Sequence, residues 1–412
     1  MSFPPGCYTP APVSETTLPN PASPRRALVP VFATVLLDLI GFGMIIPQLP
    51  FYAQRYDATP AQIGWLFASY SLMQLLFAPP LGRLSDRLGR RPVLLVSVAG
   101  SIGAYVLFAF APSFLWLVVS RALSGIAAAN YGIAQAYVAD VTSPAERSKA
   151  MGMVVGASFG LGFILGPALG AILSHFGPLV LPLTAAALSA VNLLFAFLWL
   201  RESLPPEARG QVAGHWFEPR LLVETWRNPP VRGLMLLAFL VTFCFSMMET
   251  SLALYCQSRF GFDMKKTGWL FVYVGVILVA VQGGLVGRMV RKLGERGLIL
   301  HSILVMAAGL VLLPAAGTPW LLLPALTLLA LGSGLHNPSS LGLLSLLTDS
   351  GEQGGVSGIY RSYGALARTL GPLAGPWLFQ VVGIRSPFWV AGGLMVITFL
   401  VGWTLLRRIT VG

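Results

Sequence analysis

Residues 82–91 read Gly-Arg-Leu-Ser-Asp-Arg-Leu-Gly-Arg-Arg, and residues 287–296 read Gly-Arg-Met-Val-Arg-Lys-Leu-Gly-Glu-Arg. The two segments begin 205 residues apart, and Gly166-Pro167 recurs at the same spacing as Gly371-Pro372. An internal repeat of this kind predicts two halves of like topology that pack side by side. We therefore expect a duplicated unit rather than a set of unlike domains.

Apolar stretches of about 20 residues, the length that spans a bilayer core, flank both copies of the repeat. The 412 residues are 55% hydrophobic and 10% charged, whereas a soluble domain carries about 25% charged residues. We predict an all-α integral membrane protein of twelve transmembrane helices, in two six-helix halves related by pseudo-two-fold symmetry. The predicted parts are a disordered cytoplasmic tail (1–26), a first half (27–200), a cytoplasmic linker (201–231) and a second half (232–408).

The positive residues predict the orientation. Of the 27 Lys and Arg, twenty fall in the segments on the side of the N-terminus, five on the other side and two inside helices. Positive charge collects on the cytoplasmic side, so both termini are expected in the cytoplasm, with a bacterial inner membrane as the location. The net charge of +12 is then a topology signal, and we expect no nucleic-acid partner.

Four charges fall inside predicted helices: Asp38, Arg121, Glu249 and Arg368. A charge in the membrane costs about 2.5–3.5 kcal/mol on insertion scales, so each suggests a function. A carboxylate in a low-dielectric cavity can take up and lose a proton near neutral pH, and an arginine within reach stabilises its anion. Asp38 and Glu249 are candidate proton carriers and Arg121 their modulator. Arg368 is a counter-ion for Glu249 or a contact for an anionic substrate; each of the four can instead be structural.

Two further sets of residues suggest moving parts. The first loop is a candidate conformational latch, since charge pairs can form in one state and break in another; topology alone explains its arginines but not its aspartate or glycines. Small residues at spacings of four in the fifth helix let helices pack closely in lipid. The latch residues are Gly82, Asp86, Arg87, Gly89, Arg90 and Arg91, and the fifth-helix residues are Gly162, Gly166, Pro167 and Gly170.

The candidate substrate cavity lies between the halves, near the midplane. Its predicted lining combines Glu249 and Arg368 with adaptable apolar and aromatic side chains. A lone histidine is more often a satisfied structural residue than a titrating one. The remaining candidates are Tyr131, Phe159, Phe245, Met248, Tyr273, His336 and Asn337.

These motifs resemble those of the major facilitator superfamily. Residues 82–91 match its loop signature between helices 2 and 3, and Arg121 with Gly125 matches its helix-4 signature. The pattern from Gly162 to Gly170 matches a helix-5 signature associated with antiporters, although it ends Gly-Ala where the family often has Gly-Gly. The first helix, around Asp38, is similar to that of the bacterial tetracycline-efflux proteins. The resemblance implies drug:proton antiport through twelve helices.

The predicted function is proton-coupled export of a small amphipathic organic compound, by a chain that works as a monomer. Neither a nucleotide-binding loop nor a metal-ligand or catalytic triad pattern occurs in the sequence, so we expect no enzyme, no cofactor and no metal, with the proton gradient as energy source. The alternatives are a facilitator or symporter of a metabolite such as a sugar or organic acid, and a non-transporting sensor of the same fold.

Overall fold

The computed structural model describes residues 24–210, 219–348 and 353–407, and every regular element in these ranges is helical. Most of the predicted disordered tail (1–26), the linker residues 211–218 and the last residues of the second half lie outside the described ranges. The division into domains at residues 200 and 232 stays a prediction.

Twelve long helices cross the bundle in chain order, six before and six after the linker. The helices of the first half are α1 (Pro24–Ile45, extended to Gln54 by short helical turns), α2 (Pro60–Leu88), α3 (Arg90–Ala109), α4 (Phe114–Val141), α5 (Ala157–Leu173) and α6 (Val180–Trp199). Those of the second half are α7 (Pro229–Phe260), α8 (Met264–Ala280), α9 (295–312), α10 (Leu322–Leu346), α11 (Gln353–Val381) and α12 (Ser386–Arg407). We call the end of the bundle that carries Pro24 and Arg407 the terminal end, and the other the far end.

The predicted twelve helices of an all-α membrane protein are confirmed. Within the described residues, nine segments are long and apolar enough to span a membrane. One of them, Met264–Ala315, is broken at Gly294, where φ is 66° and ψ is 167°, so it crosses twice. The helices Pro60–Leu88 and Gln353–Val381 complete the set; both carry charged or small residues because they face other helices rather than lipid alone.

Corresponding helix starts are capped in the same way in the two halves. The Thr59 hydroxyl accepts a hydrogen bond from the Gln62 N–H at 3.3 Å, and the Gln62 side chain accepts one from the Thr59 N–H at 2.8 Å. At the start of α8, the Asp263 carboxylate accepts from the Lys266 N–H at 2.8 Å. Such caps satisfy backbone donors that a helix start leaves free. The duplication therefore extends to local structure.

Glycines set the closest helix contacts inside each half. A side chain on Gly166 of α5 would meet the Gly43 Cα of α1 at 2.7 Å, and one on Gly371 of α11 would meet the Phe243 carbonyl of α7 at 2.8 Å. Because only glycine fits at these contacts, the repeated Gly-Pro sites fix the distance of the first helix from the fifth in each half. This packing holds α1 and α7 beside the centre of the bundle.

The two halves meet along α2 with α11 and α5 with α8. At the far end, the side chains of Gln54 and Gln257 exchange two hydrogen bonds, of 2.7 and 2.8 Å. Gln48 donates to the Met264 carbonyl at 3.1 Å. The far end is therefore closed by direct polar contacts between the halves.

Candidate functional site

Asp38 lies in the middle of α1 in a polar pocket of the first half. Asn130 of α4 donates a hydrogen bond of 3.5 Å to the Asp38 carboxylate, and the Ser101 side chain of α3 is a second partner. The phenol rings of Tyr70 and Tyr105 lie close enough to interact electrostatically with it. The described residues place no arginine or lysine nitrogen within 4.0 Å of this carboxylate. Neutral donors thus surround Asp38, and they suit both its charged and its protonated form.

Arg121 is 1% exposed, and its guanidinium lies 4.6 Å from the ring centroid of Tyr70. Its Nε and Nη2 atoms have no hydrogen-bond partner among the described residues. Arg121 and Asp38 make no ion pair there; instead, both interact with Tyr70 and Tyr105. The sequence predicted that Arg121 lies within reach of Asp38 and stabilises its anion. Among the described residues, the two charges form no ion pair but share Tyr70 and Tyr105 as neighbours.

Glu249 opens onto an apolar cavity between α7, α8 and α10. Its lining side chains are Phe163, Phe245, Met248, Glu249, Leu252, Phe271, Val274, Leu326 and Leu329. Glu249 is the one ionisable residue in this lining. Phe163 comes from α5, so the first half contributes to the wall. Glu249 thus lies among aromatic and aliphatic side chains that four helices contribute to one small cavity.

Arg368 of α11 has an exposed side chain although groups from three other helices surround it. Its guanidinium interacts electrostatically with Glu249 of α7, Tyr70 of α2 and Tyr131 of α4. No carboxylate lies within 4.0 Å of it in the described parts of the chain. Within those parts, Arg368 is thus a cation without an ion-pair partner that faces the space between the halves.

The other predicted lining residues divide into two groups. Phe245 and Met248 line the Glu249 cavity, and Phe159 stacks on the lining residue Phe163 with ring centroids 5.3 Å apart. The Tyr273 hydroxyl instead contacts Thr327 of α10 at 2.6 Å, outside the cavity lining. The structure therefore groups the aromatic candidates of α5 and α7 and leaves Tyr273 between α8 and α10.

His336 lies apart from this cavity. It is 2% exposed, and its ring nitrogens contact the hydroxyls of Ser302 at 3.2 Å and Ser340 at 3.3 Å. Its neighbour Asn337 is exposed and is absent from the cavity lining. Both ring nitrogens thus have serine partners, and the contact with Ser302 joins α9 to α10.

The first loop forms a charge network at the terminal end. Asp86 pairs with Arg90 at 2.5 Å, and Arg90 also contacts Asp140 of α4 at 3.2 Å and the Ser85 hydroxyl at 2.7 Å. Gly89 has φ of 107°, a conformation that favours glycine. Arg87 is exposed, whereas Arg91 donates to the Phe197 carbonyl at 2.7 Å. Of the predicted latch residues, Asp86 and Arg90 are the ones that form ion pairs within the described residues, and these pairs join α3 to α2 and α4.

Glu202 completes this network, although no motif in the sequence pointed to it. Its carboxylate accepts hydrogen bonds from the N–H groups of Arg90 at 2.8 Å and Arg91 at 3.2 Å, so it caps the start of α3. The neighbouring Ser203 hydroxyl donates to Asp140 at 2.9 Å. An anion at a helix N-terminus is stabilised by the helix dipole. The signal available in the sequence was an acidic residue directly after α6, with glycine at position 89 leaving room for it.

Among the described residues, the second loop forms no such network. Glu295 stands where Arg90 stands in the first copy; it lies against Gly342 of α10, and its Oε2 atom has no hydrogen-bond partner among the described residues. Arg296 likewise leaves its Nε and Nη2 atoms unpartnered there. Within the described residues, the altered charges of the second repeat thus leave it without the ion pairs that the first repeat makes.

Comparison with known proteins decides the family. The family model described as Major Facilitator Superfamily matches residues 31–368 and, in a second match, 283–411. The chain belongs to the major facilitator superfamily. Major facilitator superfamily domain-containing protein 10 of Mus musculus is 31% identical, over 94% of this chain and 94% of that protein. The class B tetracycline resistance protein of Escherichia coli is 33% identical, over 86% of this chain and 88% of that protein.

A solved superfamily structure supports the same fold. The human organic anion transporter MFSD10 (TETRAN) is similar with a TM-score of 0.72 and 28% identity, over 92% of this chain and 99% of that one. This solved relative is a transporter, and membership of the superfamily makes the chain a multi-pass membrane transporter of small molecules. The predicted fold class and family are therefore confirmed.

Proposed function

We propose that this superfamily member is a proton-coupled antiporter that exports small amphipathic organic compounds. The observation that supports it most directly is the separation of Asp38 from Glu249: one carboxylate lies in a polar pocket and the other in an apolar cavity. The name of the bacterial relative, a tetracycline resistance protein, is in keeping with drug efflux. The proposal places both termini in the cytoplasm of a bacterial inner membrane and treats the monomer as the working unit.

In this mechanism the substrate enters from the terminal end while the far end is closed. It places its apolar body against Phe245, Met248 and Phe271, with its polar groups towards Glu249 and Arg368. Binding favours the charged form of Asp38, whose proton leaves to the cytoplasm. After the halves reorient, a proton from outside binds Asp38 and favours release. Arg121 influences Asp38 through Tyr70 and Tyr105, because both tyrosines interact electrostatically with each of the two charges. This role requires no ion pair between Arg121 and Asp38.

The driving force suffices for concentrative export. One elementary charge moving through 100 mV is worth about 2.3 kcal/mol, and 1.4 kcal/mol is about a factor of ten in an equilibrium. One proton per cycle could therefore sustain about a fiftyfold substrate gradient from the voltage alone. No cofactor is needed in this scheme.

A second candidate is facilitated transport or symport of an organic anion. The exposed, unpaired guanidinium of Arg368 favours it, as does the name of the human relative, an organic anion transporter. A facilitator differs from the antiporter in that no proton gradient drives accumulation, and a symporter differs in that the substrate moves in the same direction as the coupled ion.

The test is uptake into everted membrane vesicles with a panel of tetracyclines, lipophilic cations, lipophilic anions and metabolites. Antiport predicts uptake that requires an acidic vesicle interior and stops when a protonophore is added. Uptake unaffected by the protonophore would support the facilitator instead. Vesicles that contain Asp38→Asn at the same membrane level are the matched control.

A further inference from the structure

A single side-chain bridge joins the two halves near the terminal end of the described structure. The Arg361 guanidinium of α11 donates a hydrogen bond to the side-chain oxygen of Gln135 of α4. Arg361 precedes Arg368 by seven residues, two helical turns or about 10 Å along the same helix. The bridge therefore lies between the central cavity and the terminal end.

Tyr131 connects this bridge to the cavity. It lies one turn before Gln135 on α4 and is hydrogen-bonded to the Gln135 side chain. Its hydroxyl interacts electrostatically with both Arg361 and Arg368. A phenol is thus placed between two guanidinium groups of α11, and it can donate a hydrogen bond to an anion bound by either of them.

The bridge pairs a cation with a neutral amide. A charge-assisted hydrogen bond from arginine to a carboxylate is about twice as strong as a neutral one, and it can be bidentate. Arg361 is exposed in the structure, so an incoming carboxylate can reach it. Exchange of the Gln135 amide for a substrate carboxylate would open the bridge and bind the substrate in one step.

We propose that Arg361 is the entry contact for substrates that carry an acidic group, and that its bridge to Gln135 is the gate which such a group opens. The anion then moves from Arg361 past Tyr131 to Arg368. This inference rests on the proposed transport function and adds amphipathic anions and zwitterions to its expected substrates, with Arg361 as the contact that only these compounds use. The simpler interpretation, that Arg361 only marks the cytoplasmic side, follows from the sequence count.

The experiment compares two xanthene probes of similar size and opposite charge, fluorescein as the anion and rhodamine 123 as the cation. Transport into everted vesicles is measured for the wild-type chain, Arg361→Gln, Arg361→Lys and Arg288→Gln. Arg288 is exposed on the extension of α8 towards the same end, so its variant removes an equal charge away from the bridge. Membrane levels of each variant are matched by immunoblot.

The expected result for Arg361→Gln is a KM for fluorescein raised about tenfold, with the KM for rhodamine 123 unchanged within about twofold. Arg361→Lys should recover part of the affinity, because the charge returns without the planar fork. Gln135→Ala should leave the KM for fluorescein unchanged, since it removes the gate but not the anion contact. Gln135→Glu should pair with Arg361 and slow the turnover of fluorescein.

Two results would overturn the inference: equal losses for both probes in Arg361→Gln, or the same loss in Arg288→Gln. Transport of rhodamine 123 but not of fluorescein by the wild-type chain would reject the anionic substrate class while leaving the transport function intact. If the wild-type chain moves neither xanthene nor any compound of the wider panel, the proposed function fails, and this inference fails with it.

Discussion

Asp38 and Glu249 occupy the first helix of their respective halves, yet they lie at different depths. The glycine contacts align the halves locally: Gly170 faces the Met44 carbonyl and Gly375 faces the Met247 carbonyl, an offset of 203 residues. By this offset, Asp38 corresponds to position 241 and Glu249 to position 46, so the acids are eight residues apart in depth. Eight residues of helix rise about 12 Å. Glu249 is thus more than two turns nearer the far end.

Their surroundings differ as much as their depth. Asp38 has the amide of Asn130, the hydroxyl of Ser101 and two phenols around it, whereas Glu249 faces an aromatic and aliphatic cavity with Arg368 as its charged neighbour. Neutral polar groups can hydrogen-bond to both the charged and the protonated carboxylate, whereas aromatic and aliphatic side chains can contact the apolar part of a substrate. The two halves thus have equivalent first helices, but each helix carries its acidic residue at a different depth and in different surroundings. This difference is what we expect if the two carboxylates have different functions.

The largest expected effect is that of Asp38→Asn on gradient-driven export. Gradient-driven export should fall about 100-fold or more, because the proton carrier is gone, while exchange of labelled for unlabelled substrate without a gradient should persist. In the wild-type chain, substrate and proton compete, so binding should tighten as pH rises, by up to about tenfold per unit for one proton, and then level off. The substrate affinity of Asp38→Asn should not change between pH 5.5 and 9. If the affinity of the variant depended on pH as in the wild type, a residue other than Asp38 would be the proton carrier.

The next largest effect is on Arg121, which we expect to act through the tyrosine pair. Arg121→Lys keeps the charge but loses the planar contact with Tyr70, and a desolvated cation–π contact is worth about 2 kcal/mol. We therefore expect gradient-driven export to fall by up to about thirtyfold. Tyr70→Phe keeps the ring and is the matched control, expected to retain most activity. Equal losses in the two variants would show that the phenol hydroxyl, rather than the ring face, carries the effect.

Glu249→Gln should have a smaller effect that depends on the compound. Cationic substrates should bind about tenfold more weakly, since a charge-assisted contact is lost, and anionic substrates should bind as well or better. Leu252→Met changes the same cavity wall at nearly constant volume and should alter neither class. The measurement is the dissociation constant for a matched cation and anion. A uniform loss for both would assign Glu249 to coupling or packing and remove the contrast with Asp38.

The loops at residues 82–91 and 287–296 allow the same comparison between the two halves, with a smaller expected effect on transport. Asp86→Asn breaks the ion pair with Arg90 and should lower the transport rate about three- to fivefold, since partly exposed pairs are worth about 1 kcal/mol or less. Glu295→Gln, in the second loop, should change the rate by less than about twofold, because its carboxylate makes no ion pair within the described residues. Rates are compared at equal membrane level. A larger loss in Glu295→Gln would reverse the assignment of the latch to the first loop.

Much of the fold could be predicted because lipid imposes simple rules on the sequence. Apolar length indicated the twelve helices, and the repeated Gly-Pro positions indicated the close contacts of α5 and α11. The depth of Glu249 relative to Asp38 could not be predicted, since the spacing of the loop repeats does not fix how the glycines align α1 with α7. The role of Glu202 could not be predicted for a similar reason, because it depends on the contact between the end of α6 and the start of α3.

The way in which Arg121 interacts with Asp38 could not be predicted from the sequence. Both charges were placed inside the membrane of the first half, and opposite charges there usually pair. Tyr70 and Tyr105 lie 32 and 67 residues from Asp38 along the chain, and no periodicity in the sequence brings them close to both charges. Only the packing of α2 and α3 against α1 and α4 does so.

The central claim is that the proton is carried in the first half and the substrate is recognised in the second. Its most direct test is the release of protons on substrate binding, followed with a pH indicator in weakly buffered detergent solution. The account predicts that the wild-type chain releases protons, that Asp38→Asn releases none while still binding substrate, and that Glu249→Gln releases as many per bound substrate as the wild type. Proton release that persists in Asp38→Asn and disappears in Glu249→Gln would contradict it.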